Sequence, residues 1–532
     1  MKATARFAWL VLPPEKRTAF LEEVRPGVSA EHFERIRAMT EAFAELMDLF
    51  QEQGMSLARI GKIAFGACTE KTDQICGSSQ AAPPKPDRPK RKRKGHGRHG
   101  SSAYTGARRI KVSHPKLKAG DICPDCKKGK LRAQPKPAPV IHLLGQPPIT
   151  ATVHELEVLR CSLCGKTFTA PPPPEAGTEK YDASVGVMTG LLRYGGGMPF
   201  YRLEQWQRNL GVPLPASTQW ELVDAMARQI EPVVDALALT AAQAPTVFND
   251  DTTMRVGQLK QQIQSEEKPK RTGIFTTGIV AQSADHPIAL YFTGRMHAGE
   301  NLKQVLKRRD KELPPPLQMC DGLSRNKPTE FDTILACCLA HGRRGFVDVA
   351  DDFPEECRYV LESLRAVYRY DAEAKEKGLT AQERLSFHQT HSQRVMAELK
   401  TWLEQQVREK RVEPNSSLGK AIDFMLRHWV ELTRFLHIPG APLDNNICER
   451  ILKMAILHRK NSLSYKTERG AKVGDLFMSL IQTCRLNQIN PFHYLLALVR
   501  HSKEVGADPK RWLPWNYQDV LTEAVSSPPN TS

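Results

Sequence analysis

The chain has 532 residues, 40% of them hydrophobic, so it is long enough for several domains and apolar enough to bury a sizeable core, which excludes a protein disordered throughout. Its formal net charge of +17 favours a polyanionic partner, because Lys and Arg gain free energy by releasing counterions from phosphate backbones. No apolar run reaches the roughly 18 residues that cross a membrane, and the N-terminal hydrophobic stretch is too short for a signal peptide, so we expect a cytoplasmic protein with no membrane partner.

The first part of the chain divides into a helical and a basic segment, after residues 1–30, which no pattern assigns. Over 31–76, apolar residues at helical intervals predict an amphipathic helix that either self-associates as a coiled coil or packs on its own domain. Residues 77–118 are rich in Gly, Pro, Ser and Lys, so we expect a disordered basic linker that lies along DNA. Within it, residues 81–118 hold 13 Lys or Arg against one Asp. The cations expected to contact phosphates are Lys90, Arg91, Lys92, Arg93, Lys94 and Arg98.

Two CxxC pairs, Cys123 with Cys126 and Cys161 with Cys164, predict a zinc ribbon over 119–168. Four thiolates satisfy one tetrahedral structural zinc ion, and each CxxC pair binds from a single tight turn. Strands are expected over 140–144 and 150–159. A redox role is the weaker alternative, because thioredoxin-like motifs occur singly. The other eight cysteines show no ligand spacing and are interpreted as structural: Cys68, Cys76, Cys320, Cys337, Cys338, Cys357, Cys448 and Cys484.

A helical domain is expected over 175–240, after a proline-rich spacer. One helix is predicted over 201–206, a turn over 210–215, and a second helix whose start is capped by Ser217 and Thr218. This is the outline of a DNA-binding helix-turn-helix, and an ordinary helical hairpin is the alternative.

From about residue 244 the pattern changes to strands, predicted over 246–257, 273–282, 286–294, up to Asp321, and over 334–341, with a helix over 297–307. That order resembles a ribonuclease-H-like α/β core, formed by 241–349 and 437–500. Residues 350–436 read as an all-α insertion and 501–532 as a C-terminal tail. The fold class expected is therefore multidomain α+β.

Three acids stand where a metal site could form. Asp250 and Asp321 each follow a predicted strand, and Glu449 begins a predicted helix over 446–458 that Asp444 would cap. Carboxylate oxygens that converge from distant segments can hold a pair of divalent ions for phosphoryl transfer. Asp251 competes with Asp250, because neighbours on a strand face opposite ways and only one can face the metals.

Several motifs together resemble the transposases of the insertion-sequence-66 family from about residue 40 to 500. The most specific is Asp-Asn-Asn-x-x-Glu-Arg, present whole at 444–450. The others are Phe-Gly with acidic and basic residues at 65–71, the paired CxxC ribbon, Asp-acid-Thr at 250–252, Asp-Gly at 321–322 and Cys-x-Ala-His-x-Arg-Arg at 338–344. Two positions depart from the family pattern: Thr253 replaces a proline and Leu323 an aromatic residue.

The resemblance implies a Mg²⁺-dependent DNA transposase that cuts and joins strands at the ends of a mobile element. Asp250, Asp321 and Glu449 would hold two Mg²⁺ ions, or Mn²⁺, and the site would first hydrolyse and then transesterify. Phosphate contacts are expected from Arg450, Arg459 and Lys460. The implied partners are the double-stranded terminal inverted repeats and target DNA, other copies of the chain and accessory proteins of the same element, at the bacterial nucleoid. The alternative is an inactive, sequence-specific DNA-binding regulator derived from a transposase.

Overall fold

The computed structural model describes residues 14–52, 72–75, 101–103, 109, 111–112, 115–132, 148–160, 162, 166–177, 179–283 and 286–526. The chain divides into a unit formed by 80–150 and a larger unit formed by 1–79 and 151–532. None of the helices in the described ranges combines the length and apolar character needed to cross a bilayer.

In the smaller unit, a tight hairpin surrounds the first cysteine pair. Ile122 and Lys130 form an antiparallel bridge, and the Cys123 amide donates to the Gly129 carbonyl at 2.7 Å. The strand predicted over 140–144 lies outside the described residues.

The larger unit begins with helices α1 (Pro14–Val24), α2 (Ala30–Glu52) and α3 (Thr72–Ile75). The amphipathic helix predicted in this region is confirmed as α2. Strands β1 (Val158–Arg160) and β2 (Thr167–Thr169) then pair antiparallel. The strand predicted over 150–159 is wrong for most of its length, because 150–157 has no strand partner within the described residues and only the last residues find one.

A helical block follows, made of α4 (Ala183–Gly190), α5 (Phe200–Asn209) and α6 (Ala216–Ala242). The two predicted helices are present as α5 and α6, but the predicted cap is wrong. Pro215 occupies the N-cap position, and the Glu204 carboxylate of α5 accepts the Ala216 amide at 3.1 Å instead. Helix α6 is long, and one of its faces is buried in the core, with Ile230 and Leu237 fully inaccessible to solvent.

A mixed five-stranded sheet forms the centre of the larger unit, in the order β5-β4-β3-β6-β7. Strand β4 runs antiparallel to β3 and β5, whereas β6 is parallel to β3, and β7 is parallel to β6. All five predicted strands are confirmed, and the combination of this sheet with many helices agrees with the expected α+β class. The strands are β3 (Thr246–Thr253), β4 (Phe275–Gln282), β5 (Pro287–Gly294), β6 (Leu317–Cys320) and β7 (Ile334–Cys337).

Two of these strands end earlier than predicted. Strand β3 ends at Thr253, and helix α7 (Gly257–Ser265) starts where the strand was expected to continue. The predicted helix over 297–307 is present as α8 (Ala298–Leu306). Strand β7 ends at Cys337, and α9 (Leu339–Asp348) takes up the rest of the apolar run, which fits a buried strand and a buried helix equally well by its pattern.

The segment between α9 and residue 446 contains helices joined by turns, and its described residues include no strand. Its buried side chains include Val360, Leu364, Leu399 and Leu403, which form a core between these helices. The helices are α10 (Pro354–Glu376), α11 (Ala381–His391), α12 (Gln393–Arg408), α13 (Ser417–Arg427) and α14 (Trp429–Leu432). Helices α15 (Asn446–Ser462) and α16 (Glu468–Leu486) then return to the sheet, and α17 (Pro491–Arg500), α18 (Ser502–Ala507) and α19 (Tyr517–Ser526) end the described chain.

Side chains cover both edges of the sheet. Asp475, Ser479 and Thr483, four residues apart on α16, accept the backbone amides of Thr293, Tyr291 and Ala289 on the outer strand β5. At the other edge, the Arg434 guanidinium donates to the Leu335 carbonyl of β7 at 3.0 Å. Three outward amides of β5 and one carbonyl of β7 therefore already have partners.

Candidate functional site

The sheet brings Asp250 and Asp321 side by side. Strands β3 and β6 are parallel, and their register pairs Phe248 with Met319. Continued by two residues, that register places Asp250 next to Asp321, just beyond the last paired positions of the two parallel strands. Asp321 follows β6 directly, as the sequence predicted, whereas the predicted strand end at Asp250 is wrong, because β3 continues through Asp250 to Thr253.

Helix α15, which carries Glu449, packs on β4 at the residue paired with Asp250. On β4, the residue paired with Asp250 is Gly278, and its carbonyl accepts the Cys448 thiol at 3.2 Å. A Cβ atom at Gly278 would lie 3.0 Å from the Leu452 side chain, so the helix can come this close only over a glycine. The residue before Glu449 is thereby fixed above the strand partner of Asp250.

The three acids influence one another electrostatically. Burial raises the pKa of Asp250 to about 7, and the neighbouring charges of Asp321, Asp251 and Glu449 act in the same direction. The Oε1 atom of Glu449 is buried without a hydrogen-bond partner. A site with oxygen donors, excess negative charge and an unsatisfied carboxylate oxygen fits a hard divalent cation such as Mg²⁺ or Mn²⁺.

Glu449 is nevertheless turned towards α9. Its Oε1 lies 3.8 Å from Nδ1 of His341, and its Oε2 lies 4.0 Å from the Arg344 guanidinium. Across the described ranges, three metal-ligating donor atoms come within 4.8 Å of one another only at Cys338, His341 and Glu449. The structure thus brings Asp250 and Asp321 together and places Glu449 near them, but it does not close the three carboxylates into one ligand cluster.

Asp251 has different surroundings from Asp250. Its carboxylate is 2% exposed, with Oδ2 lying 3.0 Å from Nδ1 of His297 and Oδ1 3.6 Å from the Arg325 guanidinium. Because this carboxylate is already engaged by two basic side chains, the geometry favours Asp250 over Asp251 as the metal ligand.

A buried amide network, which the sequence analysis missed, holds Asp321 in place. Asn326 donates to Oδ1 of Asp321 at 2.7 Å, and the Leu323 amide donates to the same oxygen at 3.0 Å. The Asn326 carbonyl in turn accepts from Asn249 at 2.7 Å and from Gln318 at 2.8 Å. The signal in the sequence was an amide side chain next to apolar residues in each strand, Asn249 in β3 and Gln318 within β6.

Asn445 fixes the start of α15. The prediction that Asp444 caps this helix is wrong, because Asn445 occupies the N-cap position while Asp444 accepts only the Asn446 amide, at 3.2 Å. The fully buried Asn445 side chain donates to the carbonyl of Asn249, the residue before Asp250, at 3.2 Å. A short-range capping rule cannot reveal this long-range contact.

The predicted phosphate-contacting residues fall into three groups. Arg450 and Lys460 are exposed on α15, and Lys453, which the sequence analysis missed, lies between them on the same face. Arg459 instead donates to the carbonyl and hydroxyl of Thr253, so it joins α15 to the end of β3. The six cations expected in the basic linker, at 90–94 and 98, lie outside the described residues.

Only the first cysteine pair of the predicted zinc ribbon is described. The Gly129 amide points at the Cys126 sulfur at 3.5 Å, and hydrogen bonds from Gly129, Lys128 and Cys123 lower the pKa of the Cys126 thiol. Cys161 and Cys164 lie outside the described residues, so the four-cysteine zinc site stays a prediction.

A family model described as "Transposase IS66 family" matches residues 182–473. The chain is 26% identical to the uncharacterized protein y4jD of Sinorhizobium fredii (strain NBRC 101917 / NGR234) over 67% of this chain and 71% of the relative. The uncharacterized protein y4hP of the same strain is 25% identical over 69% of this chain and 68% of the relative. Because the family model covers more than half of the chain, including β3, β6 and α15, this protein belongs to the IS66 family of transposases.

Proposed function

We propose that this transposase-family protein cuts and joins DNA strands at the ends of a mobile element by metal-dependent phosphoryl transfer, with Asp250, Asp321 and Glu449 as its catalytic acids. The observation that carries the proposal is the convergence of β3, β6 and α15. Asp250 and Asp321 share one edge of the sheet, and Cys448 bonds to Gly278, the strand partner of Asp250.

The sheet topology supports the assignment of a ribonuclease-H-like core. Numbered along the chain, its five strands lie in the order 3-2-1-4-5, with only the second antiparallel to the rest. In this arrangement the first and fourth strands are parallel neighbours, and two of the three acids lie just beyond their last paired residues, Asp250 within β3 and Asp321 directly after β6. The core would consist of 241–349 and 437–500, with 350–436 inserted between its last strand and the helix that carries Glu449.

Each acid has a role that its surroundings support. Asp250, Asp321 and Glu449 would hold two magnesium ions, which when bound polarise the phosphate and lower the pKa of the attacking water or 3′-hydroxyl. Asn326 and the Leu323 amide keep Asp321 oriented, while Asn445 holds the start of α15 against β3. A ligand set held in place before the reaction lowers the barrier, because less reorganisation remains to be done.

Double-stranded DNA is the partner that the charge distribution supports. Arg450, Lys453 and Lys460 give α15 a basic, exposed face that starts beside Glu449. The basic linker, the predicted zinc ribbon and the α5–α6 pair, as a helix-turn-helix, would add contacts outside the cleavage site. We include further copies of the chain and accessory proteins of the same element in the proposal, since both ends of an element must be held together.

The experiment compares Glu449→Gln with the parent chain on a supercoiled plasmid that carries the coding region and its flanking DNA. The amide keeps the side-chain volume but removes the charge that a divalent ion needs, so we expect Mg²⁺-dependent nicking to be lost while DNA binding is retained. Glu468→Gln, an exposed glutamate at the start of α16, serves as the matched control and should cut normally.

Undiminished nicking by Glu449→Gln would remove Glu449 from the site. Specific binding by the parent chain without any nicking in Mg²⁺ or Mn²⁺ would instead identify a DNA-binding regulator.

A further inference from the structure

A second group of metal-ligating atoms lies at the junction of α9 and α15. Cys338 occupies the N-cap position of α9, His341 lies in the first turn of that helix, and Glu449 lies in the first turn of α15. One donor atom from each lies within 4.8 Å of the other two. We propose that Cys338, His341 and Glu449 form a binding site for one zinc ion, distinct from the magnesium site, and that zinc there holds Glu449 away from Asp250 and Asp321.

Two of these donor atoms are buried and unsatisfied. Nδ1 of His341 and Oε1 of Glu449 both lack a hydrogen-bond partner, and they face each other at 3.8 Å. A buried polar atom without a partner destabilises the folded chain, because it has lost its hydrogen bonds to water. A cation between the two atoms would satisfy both.

The spacing suits a tetrahedral ion. Ligands bound at roughly 2.0–2.3 Å lie roughly 3.3–3.6 Å from one another across a tetrahedral angle. The three donor atoms, all within 4.8 Å, would each have to move by only about 1 Å to reach that spacing. Side chains can make such a shift without rearranging either helix.

The third donor is a thiol whose surroundings suit a metal-bound thiolate. Cys338 is fully buried at the start of α9, and a metal bound there would displace its proton into solvent. The Asn445 amide donates to its sulfur at 3.2 Å, as hydrogen-bond donors around metal-bound thiolates commonly do. The His341 and Glu449 side chains are 27% and 28% exposed, so water can supply the fourth ligand.

The ligand chemistry separates the two metals. A mixed sulfur, nitrogen and oxygen set favours zinc, whereas the all-oxygen set of Asp250 and Asp321 suits magnesium. Arg344 lies beside the group, 4.0 Å from Oε2 of Glu449 and 3.5 Å from Nε2 of His341. Arg344 contacts the other oxygen and the other ring nitrogen, so Oε1 of Glu449 and Nδ1 of His341 stay without a hydrogen-bond partner.

The regulatory part of this inference rests on the proposed function. Glu449 can serve only one of the two sites at a time, because both use its carboxylate. Zinc should therefore inhibit Mg²⁺-supported cleavage by occupying the α9–α15 junction.

Zinc bound to the full-length chain is counted by elemental analysis after equilibration with Zn²⁺ alone and removal of the free ion. We expect His341→Asn, a change at a partly exposed side chain, to bind one zinc ion fewer per chain than the parent, and Cys338→Ser to do the same. Cys484→Ser, which alters an equally buried cysteine on α16, is the matched control and should bind as many ions as the parent. Equal zinc content in the parent and in a folded His341→Asn would overturn the site, and His341→Asn alone decides if Cys338→Ser does not fold.

The second measurement adds Zn²⁺ to the Mg²⁺-supported nicking assay. Zinc should abolish most nicking by the parent and little of that by His341→Asn, and equal inhibition of both would overturn the regulatory role. A parent chain that binds the additional zinc but never nicks DNA would contradict the proposed function and leave the zinc site standing.

Discussion

Asp250 and Asp251 are sequence neighbours with opposite surroundings, and this difference can be tested directly. Asp250→Asn should abolish Mg²⁺-dependent nicking, because it removes a charge from the position next to Asp321. Asp251→Asn should retain most of the nicking and mainly reduce stability, by about 1–3 kcal/mol, because it weakens the contacts with His297 and Arg325. Plasmid nicking and urea unfolding of both variants measure the two effects. The reverse pattern of activities would assign the metal to Asp251.

The buried carboxyl group of Asp475 should make the stability of the folded protein depend on pH. The variant Asp475→Asn isolates this effect. Complete burial raises the pKa of this carboxyl from 3.8 to about 7, despite the hydrogen bonds from Thr293. The folded state therefore binds the proton more tightly than the unfolded state, so the stabilisation is fully present below pH 3.8 and is lost as the pH rises through about 7. The total effect is at most about 4 kcal/mol.

Urea unfolding between about pH 4 and 8 checks this expectation, with Asp475→Asn as the comparison. The parent should lose stability with rising pH more steeply than the variant, whose side chain does not titrate. Parallel pH profiles would mean that this carboxyl has an ordinary pKa in the folded protein.

Among the secondary-structure elements, α15 depends most on a close approach to the sheet. Gly278→Ala would place a methyl group 3.0 Å from Leu452 and 3.2 Å from Ile451. Overpacking of this kind costs about 1–3 kcal/mol, and displacement of the helix would move Glu449 as well. We expect Gly278→Ala to be less stable than the parent. Its nicking activity should fall by more than the fraction of unfolded protein accounts for.

Gly294→Ala is the matched control for that change. It also replaces a glycine in the sheet, at the end of β5, but its added methyl group would meet nothing within 4 Å. Both variants are compared by urea unfolding and by nicking under conditions in which each is folded. If Gly278→Ala behaves like the control, α15 can shift freely and its contact with β4 does not position Glu449.

The strands were predictable because their cores are nearly continuous apolar runs, such as those leading into Asp250 and Asp321. The ends of the strands were less predictable, because the apolar run over 334–341 contains both the end of β7 and the start of α9. The strand expected over 150–159 failed because alternation in sequence cannot show whether a partner strand is present. Asn445 and Asn326 escaped prediction for a related reason, as their contacts join segments far apart in the chain.

For the whole molecule, the charge is the property that a single deletion can test. Residues 84–98 lie in the segment that holds most of the excess positive charge. Removing one cation that binds a phosphate lowers the slope of log affinity against log salt by about 0.9. Deletion of 84–98 should therefore flatten the salt dependence of DNA binding by several units, as measured by fluorescence anisotropy over a range of salt concentrations. An unchanged slope would show that these cations do not contact DNA.

The covered edges of the sheet limit how copies of this chain can associate. Strand β5 has its outward amides bound by α16, and β7 has a carbonyl bound by Arg434. A second polypeptide cannot add a strand at either border without first breaking these hydrogen bonds. Strand addition at these positions is therefore disfavoured, and with it the edge-to-edge aggregation to which an uncovered sheet is prone.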